Sequence, residues 1–419
     1  MKIDLNDVAL KCADCKILPN GVRLYTLPSN EFEVLRVSFV FGAGSVVQDK
    51  PFTATATANM LCEGSDSMSA QQIAESLDFY GSYFDVNVDR DYSYISFCSL
   101  SKFVTPTLDV AEQIILHPAF PENEIETYCK KRKQRLAIER EKVETKAREA
   151  FAQSLFGESH PYGMSFSESE YDNLRREDLL DIYERFYTAE NCFVVCSGRI
   201  GEVEMARIER LAGGLRPAGN TSDVEFCEAV SRKFHLVEQP DAVQSSIRIG
   251  RRLFTRNHPD FLGMQLLATA LGGYFGSRLM QSLREERGLT YGVMSAMVNF
   301  AKDGYFAVAT QVGVESTQEA IDLIYAQMEM LRKEAMSEDE LEMVRRIMVG
   351  EIMRILDGPF GAADVTIENI LCEETNDIIA QNVKRIESYT PTQIQDIAIK
   401  YLDPEEMVCV VSGSLDFTK

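Results

Sequence analysis

Residues 181–198 read DIYERFYTAENCFVVCSG, and residues 396–413 read DIAIKYLDPEEMVCVVSG. Each segment has an amphipathic helical pattern, a short polar turn and an apolar run that ends at Ser-Gly and is typical of a strand. The two segments lie 215 positions apart (396 − 181). This match predicts a chain that contains the same unit twice.

A second pair of segments supports the duplication at nearly the same offset. Residues 121–126 (PENEIE) lie 216 positions before residues 337–342 (SEDELE). Both have the acidic character of a helix N-terminus, and Ser337 is a favourable N-cap. Both lead into long helical patterns, so we expect two homologous domains of about 210 residues each.

The expected boundaries follow from composition. We predict an N-terminal domain over 1–212, a linker over 213–230 rich in glycine and polar residues, and a C-terminal domain over 231–419. Strands alternate with long helices in both halves. The predicted fold class is therefore α+β: two homologous α/β sandwich domains, each with an antiparallel-rich sheet covered by helices.

Charge and composition exclude several classes of function. The chain has 419 residues and a net charge of −22, which disfavours binding to nucleic acid or to an anionic membrane. Such a charge would favour encounter with a basic peptide or partner, but solubility alone is the simpler explanation for it. The first residues lack the apolar core of a signal peptide, and no apolar run reaches the length of a membrane span. We expect a cytoplasmic protein whose ten cysteines are mostly reduced thiols.

Further motifs carry a resemblance to a known family. Residues 42–50 (GAGSVVQDK), 77–96 (LDFYGSYFDVNVDRDYSYIS), 160–163 (HPYG) and 271–293 (LGGYFGSRLMQSLREERGLTYGV) are similar to segments of insulinase-type zinc metallopeptidases, of which mitochondrial processing peptidase is an example. The resemblance covers essentially the whole chain. It implies the duplicated fold that the internal repeat predicts independently.

The zinc motif of that family is degenerate in this chain. Members carry His-x-x-Glu-His followed by Met-Leu-x-x-Gly-Thr, and residues 60–65 (MLCEGS) fit the second part. The zinc positions fall on Thr55, Ala58 and Asn59. These residues supply neither the imidazole, thiolate or carboxylate ligands of zinc nor a general base. The resemblance therefore implies no metal cofactor in this chain.

A third zinc ligand in active relatives is a glutamate on a later helix. Alignment on Val143-Glu144-Thr145 places Glu139 at that position, 80 residues after Asn59 and a few more than the family spacing (139 − 59). One carboxylate alone does not hold zinc. Glu139 also lies among charged residues, where a solvated ladder of ion pairs is the simpler interpretation.

The C-terminal half retains a different functional pair. The resemblance places Arg284 and Tyr291, seven residues apart, where active relatives have an arginine and a tyrosine that bind the substrate carbonyl. Two such donors can stabilise a developing oxyanion. The alternative is that Arg284 pairs with Glu285 or Glu286 and that Tyr291 starts a strand.

These features together predict a partner subunit. The chain would be the non-metal subunit of a heteromeric zinc peptidase, with zinc in a homologous partner chain, peptides as substrates, and Arg284 and Tyr291 acting in trans. The isolated chain could form a homodimer. The alternative is a catalytically inert scaffold or peptide-binding homologue of the same fold. An autonomous zinc peptidase is disfavoured, because none of the four histidines has the helical partner that a zinc motif needs.

Overall fold

The computed structural model describes residues 10–219, 226 and 233–414. Of the segment 213–230 expected to form the linker, residues 220–225 and 227–230 lie outside the described residues. The described strands are β1 (Asp14–Ile17), β2 (Arg23–Pro28), β3 (Val34–Phe41), β4 (Tyr83–Val88), β5 (Ser93–Leu100), β6 (Cys192–Gly198), β7 (Phe234–Glu238), β8 (Gln244–Leu253), β9 (Val293–Asn299), β10 (Gly304–Gly313) and β11 (Val408–Gly413). The described α-helices are α1 (Thr53–Met60), α2 (Ala70–Tyr80), α3 (Val104–Leu116), α4 (Glu122–Arg140), α5 (Val143–Phe156), α6 (Arg176–Phe186), α7 (Glu202–Gly213), α8 (Phe261–Ala268), α9 (Thr317–Lys333), α10 (Glu338–Ile355), α11 (Gly358–Leu371), α12 (Asp377–Ser388) and α13 (Pro391–Tyr401).

The strands form two mixed sheets with the same plan. The N-terminal sheet has the order β1-β2-β6-β3-β5-β4, and the C-terminal sheet has the order β7-β11-β8-β10-β9. In each sheet one pair is parallel, β2 with β6 and β7 with β11, and the other pairs are antiparallel. Helices cover both sheets, which confirms the predicted α+β fold with an antiparallel-rich sheet in each half.

The repeated segments occupy equivalent places in the two halves. Each forms a helix, α6 or α13, followed by an inner strand, β6 or β11. Every residue of both strands is buried. Strands covered on both faces are apolar throughout rather than alternating, which explains the runs FVV and VCVV in the repeat.

Each half contributes one helix to the sheet of the other half. Helix α5 packs Phe151 and Leu155 against Val410 of β11. Helix α11 packs Ile367 against Val195 of β6. Each sheet is therefore covered on one face by a helix from the other half of the chain.

The residues at the degenerate zinc positions remain helical. Helix α1 contains Thr55, Ala58 and Asn59, although threonine is only a fair helix former. Ala54 and Ala58 are fully buried, and Thr57 donates a hydrogen bond to the carbonyl oxygen of Leu179 at 3.3 Å. Tertiary packing therefore maintains this helix.

None of the helices between residues 10 and 219 or between 233 and 414 is long and apolar enough to cross a membrane.

Candidate functional site

Thr55 and Asn59 lie one turn apart on the part-exposed side of α1. Their side chains are half-buried, whereas Ala58 faces the core. The Asn59 amide donates to the carbonyl oxygen of Thr55 at 2.7 Å, which leaves Asn59 Oδ1 as an acceptor. Residues i and i+4 of a helix share a face, so this is the geometry that two metal-binding histidines would have.

An arginine lies beside this pair. Arg132 of α4 donates from Nη2 to Asn59 Oδ1 at 3.0 Å. Its guanidinium also lies 5.1 Å from the centre of the Tyr128 ring, one turn earlier on the same helix. We call Asn59, Tyr128 and Arg132 the guanidinium site.

Glu139 is not part of the guanidinium site. It lies seven residues beyond Arg132, which corresponds to about 10 Å along the axis of α4. The Glu139 side chain is half-buried, and its carboxylate accepts a hydrogen bond from Lys142 Nζ at 3.0 Å. This contact lowers the pKa of Glu139. The helix brings Arg132, rather than Glu139, to the pair on α1.

The spacing along the sequence could have pointed to Arg132 as the residue of α4 that lies beside Asn59. Arg132 follows Asn59 by 73 positions, so the family spacing can be met without the insertion that Glu139 requires. The alignment on residues 143–145 missed it because a run of similar charged residues fits several registers equally well. Only the contact between α1 and α4 distinguishes them.

The guanidinium site does not fit zinc. Zinc requires imidazole, thiolate or carboxylate donors, and this site offers a hydroxyl, an amide and a cation. A guanidinium cannot be deprotonated in a protein and would repel Zn²⁺ at this distance. Within the part of the chain that the structure describes, no three His, Cys, Asp or Glu side chains are grouped to hold a metal ion.

Further aromatic side chains pack against Tyr128 of the guanidinium site. Tyr171 packs at 6.4 Å between ring centres from Tyr128 and stacks in parallel on Phe52 at 4.2 Å. Phe52 precedes α1 and has a φ of 66°, an uncommon conformation for a bulky residue. This stack fixes the start of α1 relative to α4.

Arg284 and Tyr291 lie together at the surface of the C-terminal half. The Arg284 guanidinium lies 4.7 Å from the centre of the Phe275 ring and 5.3 Å from the centre of the Tyr291 ring. Tyr291 is 92% exposed and Phe275 is 64% exposed. We call Phe275, Arg284 and Tyr291 the aromatic clamp. Two large aromatic side chains are thus exposed on either side of one guanidinium.

The donors of the aromatic clamp are only weakly engaged. The Nε atom of Arg284 lies 3.6 Å from Glu285 Oε1, which is longer than an ordinary hydrogen bond. Tyr291 precedes β9 rather than lying in it. The alternative pairing of Arg284 with Glu285 is thus present but long. The guanidinium N–H groups of Arg284 therefore remain able to bind a ligand.

The turn that carries Tyr291 is anchored to the neighbouring strand. The Gly292 amide donates to Thr290 Oγ1 at 3.1 Å, and Thr290 Oγ1 donates to the carbonyl oxygen of Gln311 on β10 at 2.7 Å. Gln311 in turn donates to Glu144 of α5 at 3.1 Å. The position of the aromatic clamp therefore depends on contacts from both halves.

The His160-Pro161-Tyr162-Gly163 loop connects the two halves. His160 is 1% exposed, and its Nδ1 accepts a hydrogen bond from the Tyr162 amide at 3.1 Å. Tyr162 donates to Asp91 at 2.7 Å and accepts from the Lys302 amide at 3.3 Å. Burial lowers the pKa of His160, with a further contribution from Arg252. The loop is a structural junction.

A cavity of about 690 Å³ lies between the β4–β5 turn and the helices α8, α10, α11 and α12. Its size is typical of sites for small molecules. Its lining includes neither the guanidinium site nor the aromatic clamp. Asp89 at its edge already accepts hydrogen bonds from the amides of Asp91 and Tyr92 and from the hydroxyl of Tyr94.

Similar proteins are found by sequence and by structure. An uncharacterised zinc protease of Bacillus subtilis is 22% identical over 402 residues, which cover 92% of this chain and 97% of that protein. An uncharacterised zinc protease of Mycobacterium bovis is 24% identical and covers 91% of this chain and 89% of its own length. The crystal structure of a peptidase M16 inactive domain from Pseudomonas fluorescens superposes with a TM-score of 0.87 at 21% identity, with 96% and 98% of the two chains covered. A protease from Helicobacter pylori gives a TM-score of 0.83 at 14% identity, with 96% and 99% covered.

Two models of one family match successive parts of the chain. Residues 28–160 match the insulinase model (peptidase family M16), which includes the degenerate motif. Residues 173–348 match the model described as the peptidase M16 inactive domain, which includes the aromatic clamp. The structural neighbours share the fold along nearly the whole length. The chain belongs to the insulinase family of peptidases and is a member without the His-x-x-Glu-His zinc motif.

Proposed function

We propose that this protein is the non-metal subunit of a heteromeric insulinase-family zinc peptidase. It would supply half of the peptide chamber and, through Arg284 and Tyr291, donors for the substrate carbonyl. Zinc would be bound by a homologous partner chain with an intact His-x-x-Glu-His. We place this complex in the cytoplasm, since the nine described cysteines are free thiols.

One observation carries the proposal: the donors of the aromatic clamp are exposed, while the zinc positions of the same chain hold threonine, alanine and asparagine, with an arginine bonded to the asparagine. Tyr291 is 92% exposed, and Arg284 has no carboxylate closer than 3.6 Å among the described residues. Exposed donors with loose internal partners are suited to a ligand presented by another molecule. A guanidinium and a phenol directed at a peptide carbonyl would stabilise the negative charge that forms there during hydrolysis.

The test is reconstitution with a homologous chain that carries the zinc motif, for which a neighbouring gene is the first candidate. Cleavage of quenched fluorescent peptides is measured for each chain alone and for the mixture. We expect activity only in the mixture. Arg284→Ala or Tyr291→Phe should lower kcat by about 10²–10³, the usual effect of removing one oxyanion donor.

Arg287→Ala is the matched control. Arg287 is exposed, lies three residues from Arg284 and pairs with Glu319, so its removal should leave kcat unchanged. Chelator-sensitive cleavage by this chain alone would contradict the proposal, as would a mixture that is indifferent to Arg284→Ala. Inactivity of every combination would instead favour the inert scaffold or peptide-binding homologue.

A further inference from the structure

The guanidinium site has more hydrogen-bond donors than acceptors. Arg132 carries five N–H groups and directs one of them to Asn59 Oδ1. The Asn59 amide is already bonded to the carbonyl oxygen of Thr55. The site therefore offers a half-buried cation whose remaining N–H groups can reach a ligand.

Tyr128 adds a further donor. Its hydroxyl is buried beside Arg132 and donates to no acceptor among residues 10–219, 226 and 233–414. Burial is the largest cause of a raised pKa for this phenol, so the hydroxyl stays protonated and can donate. A buried donor without an acceptor is costly, which favours a ligand or water oxygen beside Arg132.

A short basic run of α4 contains Arg132. Residues 130–135 read KKRKQR in a chain whose net charge is −22. Lys133 forms an ion pair with Asp172, whereas Lys130 and Arg135 are exposed. This local positive potential attracts an anionic group to α4.

The shape of the site suits a carboxylate on an extended peptide. A guanidinium presents parallel N–H groups that match the two oxygens of a carboxylate. Strand β4 lies at the free edge of the N-terminal sheet, paired only with β5, and it packs beside α1. A free strand edge accepts an extended peptide through main-chain hydrogen bonds.

We propose that the guanidinium site binds a carboxylate of an extended peptide, with Arg132 as the anchor and the Tyr128 hydroxyl as a second donor. The arginine thereby converts a position that binds metal in relatives into a site for an anion. The carboxylate is either the C-terminus of the peptide or a glutamate or aspartate side chain. This site belongs to the chain itself, so it is independent of the partner proposed above.

The test measures binding of short rhodamine-labelled peptides to the full chain by fluorescence anisotropy at low salt. Three peptides of the same alternating alanine and valine sequence are compared: a C-terminal acid, a C-terminal amide, and an amide with a central glutamate. We expect the acid, the glutamate peptide or both to bind about tenfold more tightly than the neutral amide, as charge-assisted hydrogen bonds provide. Which of them gains affinity identifies the source of the carboxylate.

Substitutions test whether the preference for peptides with a carboxylate arises at the guanidinium site. Arg132→Met should abolish it, Tyr128→Phe should reduce it, and Arg132→Lys should retain part of it because the charge remains. Lys130→Met is the matched control on the same helix and should preserve at least half of the preference. Thermal unfolding checks that each variant is folded.

Three results would overturn the proposal: equal affinity for charged and neutral peptides, an unchanged preference in Arg132→Met, or no binding of any peptide. If Arg132→Met does not fold, Tyr128→Phe and Arg132→Lys decide. The proposal then fails if both bind the charged peptides as the parent chain does.

Discussion

Arg132 shows how one side chain changes the chemistry of a site without changing the fold around it. Its guanidinium links α4 to Asn59 of α1 and stacks on Tyr128. The arginine therefore joins the two helices, while its charge at this point excludes a metal ion.

This geometry predicts that zinc binding can be restored. The triple variant T55H/N59H/R132E should bind about one equivalent of Zn²⁺ through two imidazoles and a carboxylate. Glutamate is shorter than arginine, but the longer imidazole and two metal bonds of about 2 Å compensate. Zinc content after dialysis, measured by mass spectrometry, checks the stoichiometry.

The control for this prediction is T55H/N59H, which retains Arg132 and the natural Glu139. It should bind zinc far more weakly, because the cation remains and Glu139 is about 10 Å away along α4. Equal zinc binding by both variants would show that Glu139 supplies the third ligand.

The buried side chain of His160 makes the stability of the folded protein depend on pH. Burial lowers its folded pKa below the ordinary 6.5, with Arg252 adding to this and Asp303 opposing it. The unfolded chain then binds the proton more readily than the folded chain. Stability is unaffected above the unfolded pKa and is lost as the pH falls below about 6.5.

We therefore expect His160→Asn to lose less stability on acidification than the parent chain. The amide oxygen can still accept the hydrogen bond of the Tyr162 amide, which His160 Nδ1 accepts at 3.1 Å. The difference in Tm between the two proteins is compared at about pH 7.5 and about pH 5.5. A difference that does not change with pH would contradict the assignment.

At the scale of elements, α5 and α11 decide how the halves are joined. Each of these helices leaves its own half and covers the sheet of the other. Both are 14-residue helices whose buried apolar side chains contact a sheet distant in sequence. Their burial makes the stability of each sheet depend on both halves.

A large-to-small substitution in α5 tests whether the stability of each sheet depends on both halves. Phe151→Ala removes a side chain that is 2% exposed and should cost about 3–5 kcal/mol, the usual range for a buried phenylalanine. Urea unfolding should remain a single transition, because the loss is shared by both sheets. Ile138→Ala, on the 66% exposed Ile138 of α4, should change the free energy of unfolding by less than about 0.5 kcal/mol. A separate early transition of one half in Phe151→Ala would contradict the coupling.

At the scale of the whole molecule, the exchange of helices predicts that neither half is independent. Fragments 1–226 and 227–419 should each be unable to fold cooperatively, since each lacks the helix that covers its sheet. Mixed in equal amounts, they should form a soluble complex with the size of the intact chain. Size-exclusion chromatography measures the size of the mixed complex, and circular dichroism measures whether each fragment melts cooperatively. Cooperative melting of each isolated fragment would refute the prediction.

Much of the fold and part of the site could be predicted from residue patterns. The repeat at 181–198 and 396–413 predicted two equivalent units, because a buried strand and its amphipathic helix leave a local pattern. The family resemblance names Arg284 and Tyr291, and the structure places their side chains together. Phe275 was not named, since an aromatic residue in a glycine-rich turn has no periodic signal of its own.

What the sequence alone determined is therefore local: the two units, their antiparallel-rich sheets and helices, and the absence of zinc ligands at Thr55, Ala58 and Asn59. The tertiary structure alone decided which residue meets Asn59 and which helix covers which sheet. The charged run of α4 permits several registers, and only the packing of α4 on α1 selects Arg132 over Glu139. Likewise, an amphipathic helix encodes that it must bury one face but not which sheet receives it, because burial of apolar area is non-directional.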